Sequence, residues 1–198
     1  MLSRTEWVWR HLLVAAFAGQ RRHRLTTLAE VLGLPKTTVH AALGRPRAIG
    51  VVESSHAGIR VLDPERLLLL WAGNRDLTKD VVHETRTEAS PRDVEDALAP
   101  EFILGGFAAY LAEAGQNRVA DYDTVLAYGP IEAAARAFPC RRTGSTRVLI
   151  LEPDPLLPSY GRQTSRPQTY VDIFNLPGWQ AARFYLDLTR RLFADEAA

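Results

Sequence analysis

The stretch "TTLAEVLGLPKTTVHAAL", residues 26–43, decides the fold, because it predicts two short helices joined by a tight turn. Thr26 or Thr27 can cap the first helix, and with Thr27 as the cap Glu30 has the spacing of a capping box. Gly33 is expected to end that helix, since glycine adopts a positive backbone angle at little cost. Pro35 suits the first turn of the next helix, because proline has no N–H to leave unpaired.

The segments on either side of this helix pair add a helix and a hairpin. Residues 5–18 have apolar side chains at helical spacing. After the pair, "VVES" and "IRVL" predict two short strands joined at residues 56–58, and Asp63-Pro64 predicts the start of another helix. A helix pair joined by a short turn and followed by a β-hairpin is the order of a winged helix-turn-helix, so we expect that fold.

The second helix of the pair is expected to present polar side chains at its N-terminal end. These are a cation, two short hydroxyls and an imidazole: Lys36, Thr37, Thr38 and His40. That end enters the major groove in helix-turn-helix proteins, where lysine and threonine contact phosphates or base edges. We expect these side chains to read bases. Other basic residues are expected to hold the DNA backbone or minor groove, or else to be solvated at the surface: Arg45, Arg47, His56, Arg60, Arg21, Arg22 and Arg24.

The charge of the chain is unevenly distributed. The net charge is +1, but residues 1–62 contain nine Lys or Arg against three acids, a local net charge of +6. A basic first part and an acidic remainder predict two modules, the first with an anionic partner, although an uneven solvated surface is the alternative. Residues 5–72 resemble the winged-helix transcription regulators of bacteria, with "LAEVLGLPKTTVHAAL" carrying the resemblance. This resemblance implies binding to double-stranded DNA; a winged helix used for protein contacts is the alternative.

The cysteine content and the N-terminal sequence predict where in the cell the protein is located. Cys140 is the one cysteine, which excludes an internal disulfide and a zinc-thiolate cluster and suits a reducing compartment. The apolar run "LLVAAFAG" is too short to span a bilayer. We therefore expect a cytoplasmic protein without a membrane partner, a metal or a cofactor.

The remainder of the chain predicts a second domain. Residues 75–90 are polar and lack helical periodicity, so they are expected to link a domain of residues 1–74 to one of residues 91–198, with a short strand at residues 80–83. Ser90-Pro91 predicts a helix start, "TVLAY" and "RVLILE" predict strands around the helical "IEAAARAF", and an amphipathic helix is expected from Trp179. The expected fold class is α+β, a winged helix followed by an α/β domain.

One group of residues in this second domain suggests chemistry. Gly105-Gly106 precedes Asp121 and Asp123, and Glu152 ends the next strand. Nucleotidyltransferases use a glycine pair for triphosphate and carboxylates of this spacing for Mg²⁺, which prefers oxygen ligands. The chain would then be a magnesium-dependent enzyme; a glycine turn with surface acids is the alternative.

The second domain also carries a family resemblance. "ILGGFAAYLAEAG", "VADYDTVLAYG", "TGSTRVLILEPDPLLP" and "RPQTYVDIFNLPGWQAARFYLDL" resemble the AbiE-type antitoxins of type IV toxin–antitoxin systems. The resemblance implies a winged helix that represses its own operon and a nucleotidyltransferase-like domain, usually without catalysis. That domain would neutralise a toxin encoded nearby, usually without stable binding. The Asp-x-Asp pair departs from this pattern and leaves nucleotide binding open, and a ligand-sensing regulator is a further alternative.

Overall fold

The protein folds into two compact units. A computed structural model describes residues 1–115 and 119–193. One unit is Leu2–Arg75, which we call the N-terminal domain, and the other is Met1 with Asp76–Ala198, the C-terminal domain. No helix among the described residues is long and apolar enough to cross a membrane.

The N-terminal domain is a winged helix-turn-helix, as predicted. Its elements are α1 (Arg4–Phe17), β1 (Arg22–His23), α2 (Leu25–Leu32), α3 (Lys36–Ala42), α4 (Gly44–Ala48), β2 (Val52–Ser55), β3 (Gly58–Val61) and α5 (Pro64–Asn74). The helix pair is α2 and α3, and β2 with β3 forms the hairpin that serves as the wing. The strand β1 adds to this hairpin, giving an antiparallel sheet of order β1-β3-β2. Neither β1 nor α4 was predicted.

The turn between α2 and α3 has the predicted glycine but not the predicted cap. Gly33 is left-handed, with φ 62° and ψ 30°, and the N–H of Leu34 donates to the carbonyl of Ala29. The expected cap is wrong, because the N-cap residue of α2 is Arg24, three residues before Thr27, and no side chain caps the helix. The strand β1 ends at the residue before Arg24, so the helix begins as soon as the strand ends.

A half-buried glutamate joins α1 to α5. The carboxylate of Glu6 closes a capping box with Ser3, accepting hydrogen bonds from both its N–H and its hydroxyl. Its other oxygen accepts from the indole of Trp71 at 3.1 Å and lies 3.6 Å from the buried guanidinium of Arg75. A carboxylate held by this many donors fixes both ends of the domain.

The C-terminal domain contains a mixed four-stranded sheet. Its elements are β4 (Val81–Thr87), α6 (Pro91–Leu98), β5 (Ile103–Gly105), α7 (Gly106–Glu113), β6 (Thr124–Tyr128), α8 (Ile131–Ala137), β7 (Thr146–Leu151), α9 (Arg166–Phe174) and α10 (Trp179–Phe193). The strand order is β4-β7-β6-β5, in which β6 and β7 are parallel and the other neighbours antiparallel. Together with the winged helix, this sheet confirms the α+β class.

The segment predicted as a linker is part of this sheet. Within residues 75–90, β4 pairs with β7 from Val81 to Thr87 and follows a 3-10 turn, Leu77–Asp80. As an edge strand β4 is mostly half-exposed, with only Thr85 buried, so its sequence is polar and lacks an apolar stripe. The linker interpretation was wrong for this reason.

Helices cover both faces of the sheet. Val94 and Leu98 of α6 pack with Val125 of β6 and Val148 of β7 in one core, which α8 also joins. Leu126 points to the other face, where it lies against Gly105 at the start of α7. On this second side the Tyr128 hydroxyl donates to the buried carboxylate of Asp172 on α9 at 2.7 Å. The domain is therefore three-layered, with the sheet in the middle.

Candidate nucleic-acid interface

The helix α3 presents its predicted side chains unevenly. Lys36, Thr37 and His40 are exposed, whereas Thr38 is half-buried. Val39 is fully buried and holds the other face of α3 in the core. Three of the four predicted base-reading residues are thus fully open to a partner, and Thr38 is open in part.

A buried hydrogen bond from a tryptophan on α1 fixes the C-terminal end of α3. The indole N–H of Trp9 donates to the backbone carbonyl of Ala42, the last residue of α3, at 2.8 Å. Trp9 is 5 % exposed, so water does not compete for this bond. No local pattern predicts this hydrogen bond, because its partners are 33 residues apart.

The short helix α4 adds two arginines beside α3. Arg45 and Arg47 are both exposed. The guanidinium of Arg47 lies 2.9 Å from Nε2 of His40, so these two predicted residues meet. Arginine can only donate, so Nε2 of His40 accepts, which places the proton of the neutral ring on Nδ1.

The surface formed by α3 and α4 is basic throughout. No acid occurs between Glu30 and Glu53, a segment that contains Lys36, Arg45 and Arg47. Such a run of cations without a compensating carboxylate is suited to the phosphates of a nucleic acid.

Two arginines lie directly opposite each other on neighbouring strands of the wing sheet. In the sheet Arg60 of β3 stands opposite Arg22 of β1 on one side and Glu53 of β2 on the other. Like charges directly opposite each other are destabilising, and Glu53 can offset only one of the two arginines. A bound phosphate would offset the other. Sequence reasoning missed Glu53 because the register that brings it to Arg60 is not visible in the chain.

A glycine keeps β1 on the wing. Gly58 has φ 121°, and a Cβ atom at this position would lie 2.5 Å from the carbonyl oxygen of His23. At the tip of the wing His56 is exposed, and the N–H of Ala57 donates to the hydroxyl of Ser55 at 3.2 Å. The close approach of His23 to Gly58 therefore sets where Arg22 of β1 lies.

The three arginines around β1 have different positions. Arg22 and Arg24 are exposed and Arg21 is half-buried. Arg22 belongs to the wing sheet, whereas Arg24 is the N-cap residue of α2. Arg22 and Arg24 both line one cavity beside β1, which Arg21 does not line.

The carboxylates predicted to bind Mg²⁺ lie at opposite ends of two neighbouring strands of the C-terminal sheet. Asp121 and Asp123 come just before β6, and Glu152 follows β7. These strands are parallel, with Thr124 beside Arg147 and Tyr128 beside Leu151. A strand of five residues spans about 16 Å. The three residues therefore do not form the predicted site, and the described part of the chain contains no group of three or more metal-ligating side chains.

The glycine pair has a packing explanation. A Cβ atom on Gly105 would lie 2.6 Å from Leu126 and 3.1 Å from the carboxylate of Asp172. Gly106 begins α7 with φ 54°, an angle that other residues rarely adopt. Gly105 is thus required by its close contact with the sheet and α9, and Gly106 by its backbone angle.

Comparison with known proteins identifies the first domain. Residues 12–53 match the family model of the IclR helix-turn-helix domain. No curated protein and no solved structure matches the chain. The N-terminal domain is an IclR-type helix-turn-helix DNA-binding domain, and the chain is a DNA-binding transcriptional regulator.

Proposed function

We propose that this regulator represses its own operon by binding an operator in double-stranded DNA. The side chains that read bases in the major groove are those at the exposed face of α3: Lys36, Thr37, Thr38 and His40. The observation that carries the proposal is the acid-free surface of α3 and α4, fixed to the core through the bond between Trp9 and Ala42.

The surrounding basic residues hold the DNA backbone. Arg45 and Arg47 lie on α4, directly after α3. His56 and Arg60 belong to the wing. Contacts of this kind supply affinity and orientation, while base contacts supply specificity. Arg21, Arg22 and Arg24 contribute further backbone contacts from the β1 side.

The test is a mobility shift with the chain's own promoter DNA, measured with competitor DNA and over a range of salt. A specific complex that weakens steeply with salt is expected. Arg47→Ala should weaken it strongly. Arg136→Ala, which removes an exposed arginine from α8 in the C-terminal domain, is the matched control and should not. Equal binding to unrelated DNA would contradict the repressor.

We further propose that the regulator is an antitoxin of the AbiE type. The order of a winged helix followed by an α/β domain with a mixed sheet supports this role. The separation of Asp121 and Asp123 from Glu152 supports a C-terminal domain without catalysis. The alternative enzyme would bind nucleoside triphosphate with Mg²⁺ and lose that binding in Asp121→Ala.

The antitoxin role is tested by co-expression with a nucleotidyltransferase encoded beside the gene. Growth should be rescued by the full chain. It should be rescued equally by Arg47→Ala, because neutralisation would rest on the C-terminal domain. No stable complex with the toxin is expected. Failure of both proteins to rescue would contradict the antitoxin role and leave the repressor unaffected.

A ligand-sensing regulator is the second candidate, favoured by one cavity. A cavity of about 520 Å³ lies in the C-terminal domain, within the size range of small-molecule sites. Leu77, Leu149 and Leu176 give it an apolar lining, and the ion pair of Arg147 with Glu84 (2.8 Å) supplies polar groups. A small molecule that raises the melting temperature of the protein and releases the operator would support this candidate, provided that Leu149→Asp abolishes both effects.

A further inference from the structure

A second cavity lies within the N-terminal domain, beside β1. Its volume is about 400 Å³, and α1, β1 and α2 with their connections contribute its walls. The polar residues that line it are His11, Gln20, Arg22, His23, Arg24 and Thr27. None of its described lining residues is acidic. The cavity is therefore lined by hydrogen-bond donors and cations, and no lining carboxylate balances their positive charge.

Two histidines form one side of this cavity. The rings of His11 and His23 are edge to face, with centroids 6.1 Å apart. The Nε2 atom of His23 is buried without a hydrogen-bond partner. Burial lowers the pKa of His11, and the neighbouring His23 and Arg10 lower it further. Burial also lowers the pKa of His23, against an opposing hydrogen bond with the backbone of Gln20. Both rings are therefore neutral at pH 7, and each would gain from a nearby anion.

The N-terminus of α2 also lies at this cavity. Arg24 is its N-cap residue, and no side chain caps the helix. The N–H groups of the first turn consequently lack a helical acceptor, and the helix dipole places partial positive charge there. Thr27, in this first turn, lines the cavity.

Charged groups on every neighbouring element leave the cavity basic. Arg10 of α1 acts on His11, and Arg60 of β3 stands opposite Arg22. Of the acids on these elements, Glu6 of α1 is held by Ser3, Trp71 and Arg75, Glu30 of α2 is exposed, and Glu53 of β2 stands opposite Arg60. None of the three lines the cavity, so among the described residues no carboxylate is placed to pair with a protonated histidine there.

We infer that this cavity binds one phosphate-class oxyanion, held by Arg22, Arg24 and the first turn of α2, and that the His11–His23 pair takes up a proton as the anion arrives. The anion supplies the negative charge that the protonated pair lacks. It is either a backbone phosphate of the operator or a free phosphate. For the operator phosphate the inference rests on the proposed function; for a free phosphate it does not.

The first experiment measures operator affinity of the full chain at pH 5.5, 6.5 and 7.5 at constant ionic strength. Affinity should rise as the pH falls, by at most about tenfold per pH unit for one proton taken up. The double variant His11→Gln/His23→Gln should lose this pH dependence. His83→Gln should retain it, because His83 lies on β4 in the C-terminal domain, outside the cavity. Operator affinity of the wild type that is independent of pH, with no phosphate binding, would overturn the inference and leave the repressor intact.

The second experiment uses inorganic phosphate without DNA. The imidazole resonances of His11 and His23 are titrated by NMR with and without phosphate, which should raise the pKa of both rings if a free anion binds. Arg24→Gln, a change at an exposed residue that does not disturb the core, should abolish that increase, and it covers the case in which the double variant fails to fold. Proton uptake with the operator alone would assign the site to the DNA backbone. A phosphate effect without operator binding would support the cavity and contradict the proposed function.

Discussion

The guanidinium of Arg47 on α4 lies 2.9 Å from Nε2 of His40 on α3. This contact joins a side chain expected to hold a phosphate to one expected to read a base. Arg47 thereby restricts the rotamers available to His40 before DNA arrives. The surface of α3 and α4 is in this respect organised in advance, which reduces the entropy lost on binding.

The contact between these two residues predicts that their effects on operator affinity are not additive. In a double-mutant cycle of Arg47→Ala and His40→Ala, we expect a coupling of about 0.5–3 kcal/mol, the range for residues in direct contact. Lys36→Ala combined with Arg47→Ala is the comparison, and its effects should add to within about 0.5 kcal/mol because no contact joins them. Equal coupling in both cycles would contradict a specific role for the contact.

The two lysines of the chain make a matched pair of substitutions. Lys36→Ala should reduce operator affinity by about 1–3 kcal/mol if Lys36 contacts a base edge, or lower the salt slope by about one if it contacts a phosphate. Lys79→Ala should change neither quantity, because Lys79 pairs with Asp76 in the C-terminal domain and its side chain is 77 % exposed. Affinity measured over a series of salt concentrations distinguishes these outcomes. An equal loss in both variants would show that only overall charge matters.

Substitutions at two tryptophans distinguish the effect of fixing α3 on operator affinity from a general loss of stability. Trp9→Phe removes the donor to Ala42 and leaves a buried carbonyl unpaired, which should reduce the free energy of unfolding by about 1–3 kcal/mol. It should also lower operator affinity, since α3 is no longer fixed. Trp7→Phe removes a similar bond, to the carbonyl of Leu2 at 2.9 Å, without touching α3.

Urea denaturation followed by circular dichroism gives the stabilities, and mobility shifts at a temperature where both variants are folded give the affinities. Trp7→Phe should lose stability but keep wild-type affinity. If Trp7→Phe loses as much affinity as Trp9→Phe, the bond to Ala42 has no special role in DNA binding.

The helix pair was predictable because its signals are local. The apolar spacing of residues 26–43 and the glycine at Gly33 specify two helices and their turn within a few residues. The exposed face of α3 follows from the same spacing. In contrast, β1 and α4 contain two and five residues, too few for any period to show.

The predictions that failed depend on contacts between distant segments. Asp123 and Glu152 each adjoin a strand, which predicts that they lie together, but β6 and β7 run parallel, so the start of one strand and the end of the other lie far apart. The sequence predicts a linker where β4 lies, because an edge strand that is not fully buried has no apolar stripe. The register of Arg60 with Arg22 likewise depends on a pairing that no local pattern encodes.

The glycine at the wing can be tested against another glycine with positive φ. Gly58→Ala should lower the free energy of unfolding by more than Gly50→Ala. Both change a left-handed residue, at a cost of about 1–2 kcal/mol, but a Cβ on Gly58 also meets the carbonyl of His23 at 2.5 Å whereas Gly50 has open space. Hydrogen exchange of the Val61 amide, which donates to Arg21, should accelerate in Gly58→Ala alone. Unchanged exchange would show that β1 accommodates the methyl group.

The lowered pKa values of His11 and His23 predict that the N-terminal domain loses stability in mild acid. The ordinary pKa of a histidine side chain is 6.5, and the folded state holds the pKa of both rings below it. Between the folded pKa and 6.5 the unfolded chain binds more protons, so the free energy of unfolding falls as the pH drops through this window and levels off beneath it. The double variant His11→Gln/His23→Gln should remove this decrease, whereas His56→Gln, at the exposed tip of the wing, should retain it.

Tryptophan fluorescence can follow the N-terminal domain alone in this measurement. Of the four tryptophans, only Trp179 belongs to the C-terminal domain, and it is 65 % exposed, so Trp179→Phe is a mild background substitution. Urea unfolding of this background in phosphate-free buffer at pH 7.5 and 5.5 should show lower stability at pH 5.5. Added inorganic phosphate should restore part of the loss if a free anion fills the cavity, because a ligand that binds only the folded state stabilises it. Equal stability at the two pH values would mean that the histidines titrate alike in the folded and unfolded chain.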